Sequence, residues 1–473
     1  MSLHAQVPTP STPTVPVEST DPAGIGVWLL DNLTQPAATV LASAGIIVAA
    51  VITFFIGYLS RRQLDRHHKA THTLAATQAL RDRFTTITGQ LADPAPAIRT
   101  AAVSALEALA DDWLERKKPR ETQACINVLC DYLRTPYEPP ARNPHLRRET
   151  RRTHRTKFDY TDTTHEYPHD DLDTRHAITR TIAAHLQPDH DHSWSTFDYD
   201  LTGAYLHNTD FTGATFSGQV TSFAGATFSG GGTWFGGATF SGEKTFFYKA
   251  TFSSMDTWFD DATFSGGDHS FAGATFSGER TSFDGAAFSG SEVTSFEKAT
   301  FRSKVTSFAR VTFNDENTSF DEATFSGEKT FFYKATFSGE STSFDEATFN
   351  SSELAWFNEA AFNSSEGTSF IGATFSGESA MFVEATFSSK VASFKRATFG
   401  SKVTWFRDVA FSSSEGTSFI GATFDGKVTM FENPQAWVKV WVDWERHPHS
   451  VFGPLRSHPV SVLPYEWPPV PKP

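Results

Sequence analysis

Phenylalanine recurs between residues 211 and 431 with a regularity that leaves few folds open. It stands at Phe211, Phe216, Phe223, Phe228, Phe235 and Phe240 and continues to Phe431, in steps that alternate between 5 and 7. The unit is therefore 12 residues long and reads TSFxxATFSGxx. Four times the longer step becomes 8, between Phe288 and Phe296, Phe349 and Phe357, Phe362 and Phe370, and Phe411 and Phe419. Every extra residue falls in the spacer and none in the FxxATF link, which predicts an exposed turn for the spacer and close packing for the link. An α-helix needs apolar steps of 3 and 4, and Gly, Ser and Thr crowd these units, so helix is excluded. Within ATFSG, Ala and Phe alternate with Thr and Ser, as in a strand. One such strand cannot bury its ring alone. Coils stacked at about 4.8 Å pile the rings into columns, so the core exists only through repetition.

The residue just before the first Phe of each unit points outward and shows how many units make one coil. In alternate units it reads Asp210, Trp234, Trp258, Ser282, Ser307, Phe331, Trp356, Met381, Trp405 and Met430. In the interleaved units it is Ser at every position but Phe246. The structural period is thus two units, about 24 residues. This predicts four faces per coil, about nine coils and a rod of roughly 45 Å. It also predicts an apolar stripe of Trp234, Trp258, Phe331, Trp356, Met381, Trp405 and Met430 on one outer face, a candidate protein-interaction surface.

The recurring ATFSG, with DFTGA at 210–214, resembles the pattern of pentapeptide-repeat proteins, over about half the chain. That resemblance implies a right-handed quadrilateral β-helix whose central Phe and the residue two before it point inward. Phe216, Phe228 and Phe240 with Ala214, Ala226 and Ala238 would then be core. The chain departs from a strict five-residue repeat by its two-residue spacer, which enlarges two corners of each coil. His269 replaces the small inward Thr, and a local defect is expected there.

Before the repeat, residues 1–36 are Pro/Thr-rich and read as disordered. Residues 37–59, AATVLASAGIIVAAVITFFIGYL, form an uncharged apolar run long enough to span a bilayer as a single transmembrane helix. Arg61, Arg62, Arg66 and Lys69 follow it and no Lys or Arg precedes it, which puts the N-terminus outside and the solenoid in the cytoplasm. Residues 60–192 read as a continuation of that helix to about 91, then three short helices that look like a HEAT-like unit. The first is capped by Asp93 with Pro94 at its first position and buries Ile98, Ala102, Ala105, Leu109 and Trp113; the others run near 119–134 and 172–187. Similar helical regions precede the repeats in bacterial membrane-associated members of the family. The basic stretch 145–157 reads as a solvated loop or a contact with anionic lipid. Residues 197–431 are the β-helix. In 432–473, AWVKVWVDW reads as a strand closing the solenoid, ahead of a Pro-rich tail.

Little here points to chemistry. Cys125 and Cys130 lie five apart on a helix and cannot act as a pair. His190 and His192 in DHDHSW could ligate a metal but lack a third defined partner. No nucleotide loop or catalytic triad has a local signature, so the reading is a non-enzymatic chain with no cofactor. The formal charge of −14 argues against direct nucleic-acid binding. Two other functions compete with a protein-binding scaffold. Residues 201–431 hold about 26 acids against 15 bases, which allows the DNA mimicry by which some pentapeptide-repeat proteins bind topoisomerases. The outward Thr and Ser ladders resemble those of ice-binding solenoids.

Overall fold

A computed structural model describes residues 35–137, 148–154, 159–166, 172–446 and 455–471. The chain divides into two compact units, up to Arg81 and from Asp82 onward. The segment read as disordered lies outside the described residues except for Gln35 and Pro36, which open the first helix, α1 (Gln35–Leu91). Within it Ser43–Gln63 is long and apolar enough to cross a membrane and is wholly exposed, overlapping the expected span. The helix runs to Leu91 without a Gly or Pro break between 58 and 88, and Ile87 and Leu91 are buried.

Three further helices follow: α2 (Pro96–Glu115), α3 (Pro119–Arg134) and, after a hairpin, α4 (Leu172–His185). Helix α2 begins two residues later than expected. Asp93 accepts a hydrogen bond from the Ala95 amide instead of capping the helix, and Pro96 supplies the first-turn residue that needs no donor. Its buried face is Ala102, Val103, Leu106, Leu109, Ala110 and Trp113, while Ile98 is exposed, a correction to the expected inward set. The basic stretch is no loop where it is described. Strand β1 (Arg148–His154) pairs antiparallel with β2 (Tyr160–Glu166), and residues 145–147 and 155–157 lie outside the described residues.

From Tyr199 the chain winds into a parallel β-solenoid of about ten turns with about 24 residues per turn. Its four faces follow one another within each turn, as at Val220–Ser222, Thr227–Phe228, Thr233–Trp234 and Thr239–Phe240. Each residue pairs in register with its equivalent one turn on, as Thr251 with Thr275 and Phe252 with Phe276. Two stretches outside the Phe repeat add turns to the expected nine. Tyr199–Asp200 and Tyr205–Asp210 precede it; Ala436–Trp437, Val440–Trp441 and Val462–Leu463 follow it.

The interior repeats as strictly as the sequence. Phe235, Phe259 and Phe283 stack nearly parallel at 4.9 and 4.7 Å, the spacing of the strands that carry them. Rings of different columns meet edge to face, as Phe247 and Phe259 do at 5.5 Å and 88°, the arrangement that aromatic quadrupoles favour. Each FxxA link is a turn in which the Ala amide bonds back to the Phe carbonyl, for example Ala250 to Phe247 at 3.0 Å. Its third residue has positive φ, the type II requirement, met by Gly at 225 and by Lys at 249, whose φ is 53°. That is why the link tolerates no insertion.

The spacer differs from its expectation in one residue. Its second position is crowded by the preceding turn: a Cβ on Gly339 would lie 1.6 Å from the Asp315 carbonyl oxygen, and the serines at this position, such as Ser254 and Ser351, are buried. Where Ser stands there instead, its hydroxyl meets an inward Thr of the preceding turn, Ser254 to Thr233 at 2.6 Å and Ser351 to Thr330 at 2.8 Å. The spacer is therefore exposed on either side of that residue but not at it where Ser stands there, as Ser253, exposed beside buried Ser254, shows.

Candidate interaction surface

Strand register brings the sequence-predicted stripe onto one face. Trp234 pairs with Trp258, which pairs with Ser282 and that with Ser307. Ser307 then pairs with Phe331, and Phe331 with Trp356, Met381, Trp405 and Met430 in succession. One column of this third face thus carries all seven residues. The two serines divide it into a lower pair and an upper run of five.

The two parts differ. In the lower part, the Trp234 indole folds over Gly232, where a Cβ would be 2.0 Å from its ring, and Trp258 lies 5.9 Å from the Arg280 guanidinium. In the upper part the large side chains pack on one another: Trp356 lies 5.6 Å from Phe331 and 5.8 Å from Tyr333. Leu354, Val403 and Val428 point outward beside them and are half-buried. Leu463 extends the column past Met430. Applying the two-unit period to the residue two places earlier would have found the first three. No periodicity could find Leu463, because the tail that carries it is outside the repeat.

The opposite face is more polar: its matching column is serine from Ser270 to Ser418, with Phe246 below that run and Trp441 above it. The second face carries eight threonines in register from Thr227 to Thr398. On the edges, acids and bases pair from turn to turn, Lys329 with Glu353 at 3.1 Å and Lys390 with Glu366 at 3.0 Å.

Both ends of the solenoid are covered. Below the first turn, Gln123 of α3 bonds both the amide and the carbonyl of Asp198, and Arg134 pairs with Asp200 at 2.7 Å. Buried Arg175 of α4 donates to the Leu133 and Thr135 carbonyls at the end of α3 and lies 4.6 Å from the Tyr137 ring. At the top, the expected closing strand is instead two short strands that continue two faces. The cover is a cluster of Trp437, Trp444 and Trp467, whose rings meet edge to face at 5.3 Å.

The His-rich segment belongs to the lower junction. His185 is buried and stacks on Trp194 at 3.9 Å. Its Nδ1 bonds the Thr181 carbonyl at 2.8 Å, and its Nε2 faces Asp111 at 3.3 Å, which also accepts from the Trp194 indole at 3.0 Å. Burial pulls the His185 pKa down, but the bonds to Asp111 and Thr181 outweigh it and leave it raised. Burial likewise works to raise the Asp111 pKa, and His185, Trp194 and His192 overcome it to leave it lowered. His192 bonds Glu115 at 3.1 Å, and its amide bonds His190. Among the described residues no group of three or more His, Cys, Asp or Glu is placed to hold a metal ion.

His269 lies in the core with its register intact, between Thr245 and Thr294. The expected defect is therefore chemical, not geometric. Both ring nitrogens are buried without a partner, and burial pushes the pKa down to about 4. Cys125 and Cys130 are free and buried, their thiols pushed up to about 12 by desolvation. On the basic hairpin, Arg152 bonds Asp162 through two nitrogens and Arg151 bonds Glu149.

No curated protein and no solved structure matches this chain. A family model described as pentapeptide repeats (9 copies) matches residues 201–251, so the chain is similar to pentapeptide-repeat proteins over the first turns of its solenoid, and no catalytic family is identified.

Proposed function

We propose that this protein is a membrane-anchored, non-catalytic repeat scaffold that binds a protein partner along the third face of its solenoid. One observation carries the reading: seven large apolar residues share one outward column of one face, whereas the matching column of the opposite face is serine from Ser270 to Ser418, with Phe246 below and Trp441 above. Packing inside the solenoid does not need this, because those positions point outward. An apolar run of this kind is what contact surfaces use. The apolar stretch Ser43–Gln63 would hold the protein in the bilayer, and the basic residues that follow it put the solenoid on the cytoplasmic side.

The competing functions draw on less. Turn-to-turn Lys–Glu pairs interleave bases with the acids, unlike the continuous acidic track of a DNA mimic. The threonine column fits an ice-binding surface by itself, but a cytoplasmic, membrane-held solenoid does not. Replacing Trp356 and Trp405 with Ser in the full-length chain should abolish partner capture or self-association, read by crosslinking and mass. Unchanged composition and mass would remove the proposal.

A further inference from the structure

We infer that the upper end of the first face, opposite the stripe, binds a small organic anion with an apolar body. This site is independent of the third-face surface. Two columns of the first face change character toward the top. At the link, Glu297, Asp321 and Asp345 occupy successive turns and are followed by Ile371, Lys395 and Ile420. On the strand, Asn317 and Ser341 are followed by Gly367, Val391 and Gly416. Packing inside the solenoid does not require the change, because the inward residue next along the strand stays Thr or Ala at 318, 342, 368, 392 and 417.

The serine column ends in the same region. Trp441 follows Ser418, and its indole reaches back over Gly416, where a Cβ would lie 3.0 Å from the ring. Glycine at 416 therefore leaves room for the indole to stand as a wall. Trp441, Val391, Ile420 and Val440 line a cavity of about 880 Å³, within the size range of small-molecule sites. These walls accept an apolar body, and the charges around them select its head group. Lys395, Lys439 and Arg446 stand there against Glu415 and Glu445. Glu445 already accepts the Trp467 indole N–H at 3.1 Å, Glu415 lies in the field of Lys390, and Lys439 donates to the Ser414 carbonyl at 2.6 Å. Lys395 and Arg446 are exposed and form no ion pair among the described residues. Two unengaged cations thus border an apolar cavity on a chain of formal charge −14, and an anionic head group complements both. An ammonium head group would meet them in repulsion.

The test uses the full-length chain in phosphatidylcholine nanodiscs, titrated by calorimetry with three probes of one shape: naphthoate, naphthylmethanol and naphthylmethylamine. Naphthoate should bind at one site per chain, the alcohol about ten-fold more weakly and the amine not at all. A fourth titration, with decanoate, separates two sources of the same chemistry: tighter binding than naphthoate marks a chain and weaker binding a ring, and either supports the site. The double variant Lys395→Gln, Arg446→Gln changes two exposed side chains, so its unfolding midpoint should stay at the parent value while naphthoate binds about ten-fold more weakly. Equal binding of the three naphthalene probes, no saturable binding of either anion, or parental naphthoate affinity in the double variant would overturn the inference.

Discussion

Phe308 lies between Phe283 and Phe332 at 4.8 and 5.0 Å, and the inner rings of its column repeat the same stacking. His185 has one set of partners, Asp111, Trp194 and the Thr181 carbonyl, that occurs nowhere else among the described residues. The repeat is stabilised by many equivalent apolar contacts, each without direction, so it can grow or shrink by a turn. The junction is stabilised by a few buried polar bonds that work only in one geometry. The difference explains why the solenoid needs the helices. A stack of identical turns has no internal mark of where to begin, and the bonds from α3, and from Leu186 and Ser195 after α4, to residues 198–217 supply one.

The largest expected effect tests the equivalence of the turns. Phe308→Ala should lower stability by about 3–5 kcal/mol in denaturant titration, and Phe283→Ala should match it closely. A loss confined to one of the two would break the picture of interchangeable turns. Next comes the junction. Asp111→Ala leaves the His185 and Trp194 donors without their acceptor and should cost about 2–3 kcal/mol, seen as faster amide exchange in α4 with the central turns unaffected.

The same pair predicts a pH window. With its folded pKa raised, His185 stabilises fully below its unfolded value of about 6.5, and the contribution is lost as pH rises through the folded value. With its folded pKa lowered, Asp111 stabilises above its unfolded value, and the contribution is lost as pH falls through the folded one. Protection of α4 should therefore peak between the two, and Asp111→Ala should flatten the profile. The smallest effect lies inside the repeat. His269, buried and neutral, loses stability as pH falls from about 6.5 toward 4, so His269→Thr should stabilise by about 1–2 kcal/mol at pH 5 and remove that acid dependence. A variant as acid-sensitive as the parent would show that the ring is not the source.

Legibility follows the same division. The 24-residue turn, the inward Phe and Ala, and the column from Trp234 to Met430 could all be read because the same local pattern recurs many times, which averages out accidents of single residues. The spacer misled by one position because the crowding at Gly339 comes from the carbonyl of the turn below, a contact that no local pattern records. Ile98 misled because helical spacing defines a face but not how wide a strip its neighbours cover. The role of the His-rich segment was illegible as well. His185 and Asp111 are 74 residues apart, and only the docking of α4 on α2 brings them together.

Alone, the sequence determined the strand period, the two-unit turn, the aromatic columns and the apolar stretch near the N-terminus, because each depends on residues close along the chain or repeated at fixed intervals. Tertiary structure alone decided how the ends are closed, that Leu463 joins the outer column, and that Asp111 faces the buried His185 in the junction. Those contacts occur once, between segments of unrelated sequence, and one-time contacts leave no periodic trace.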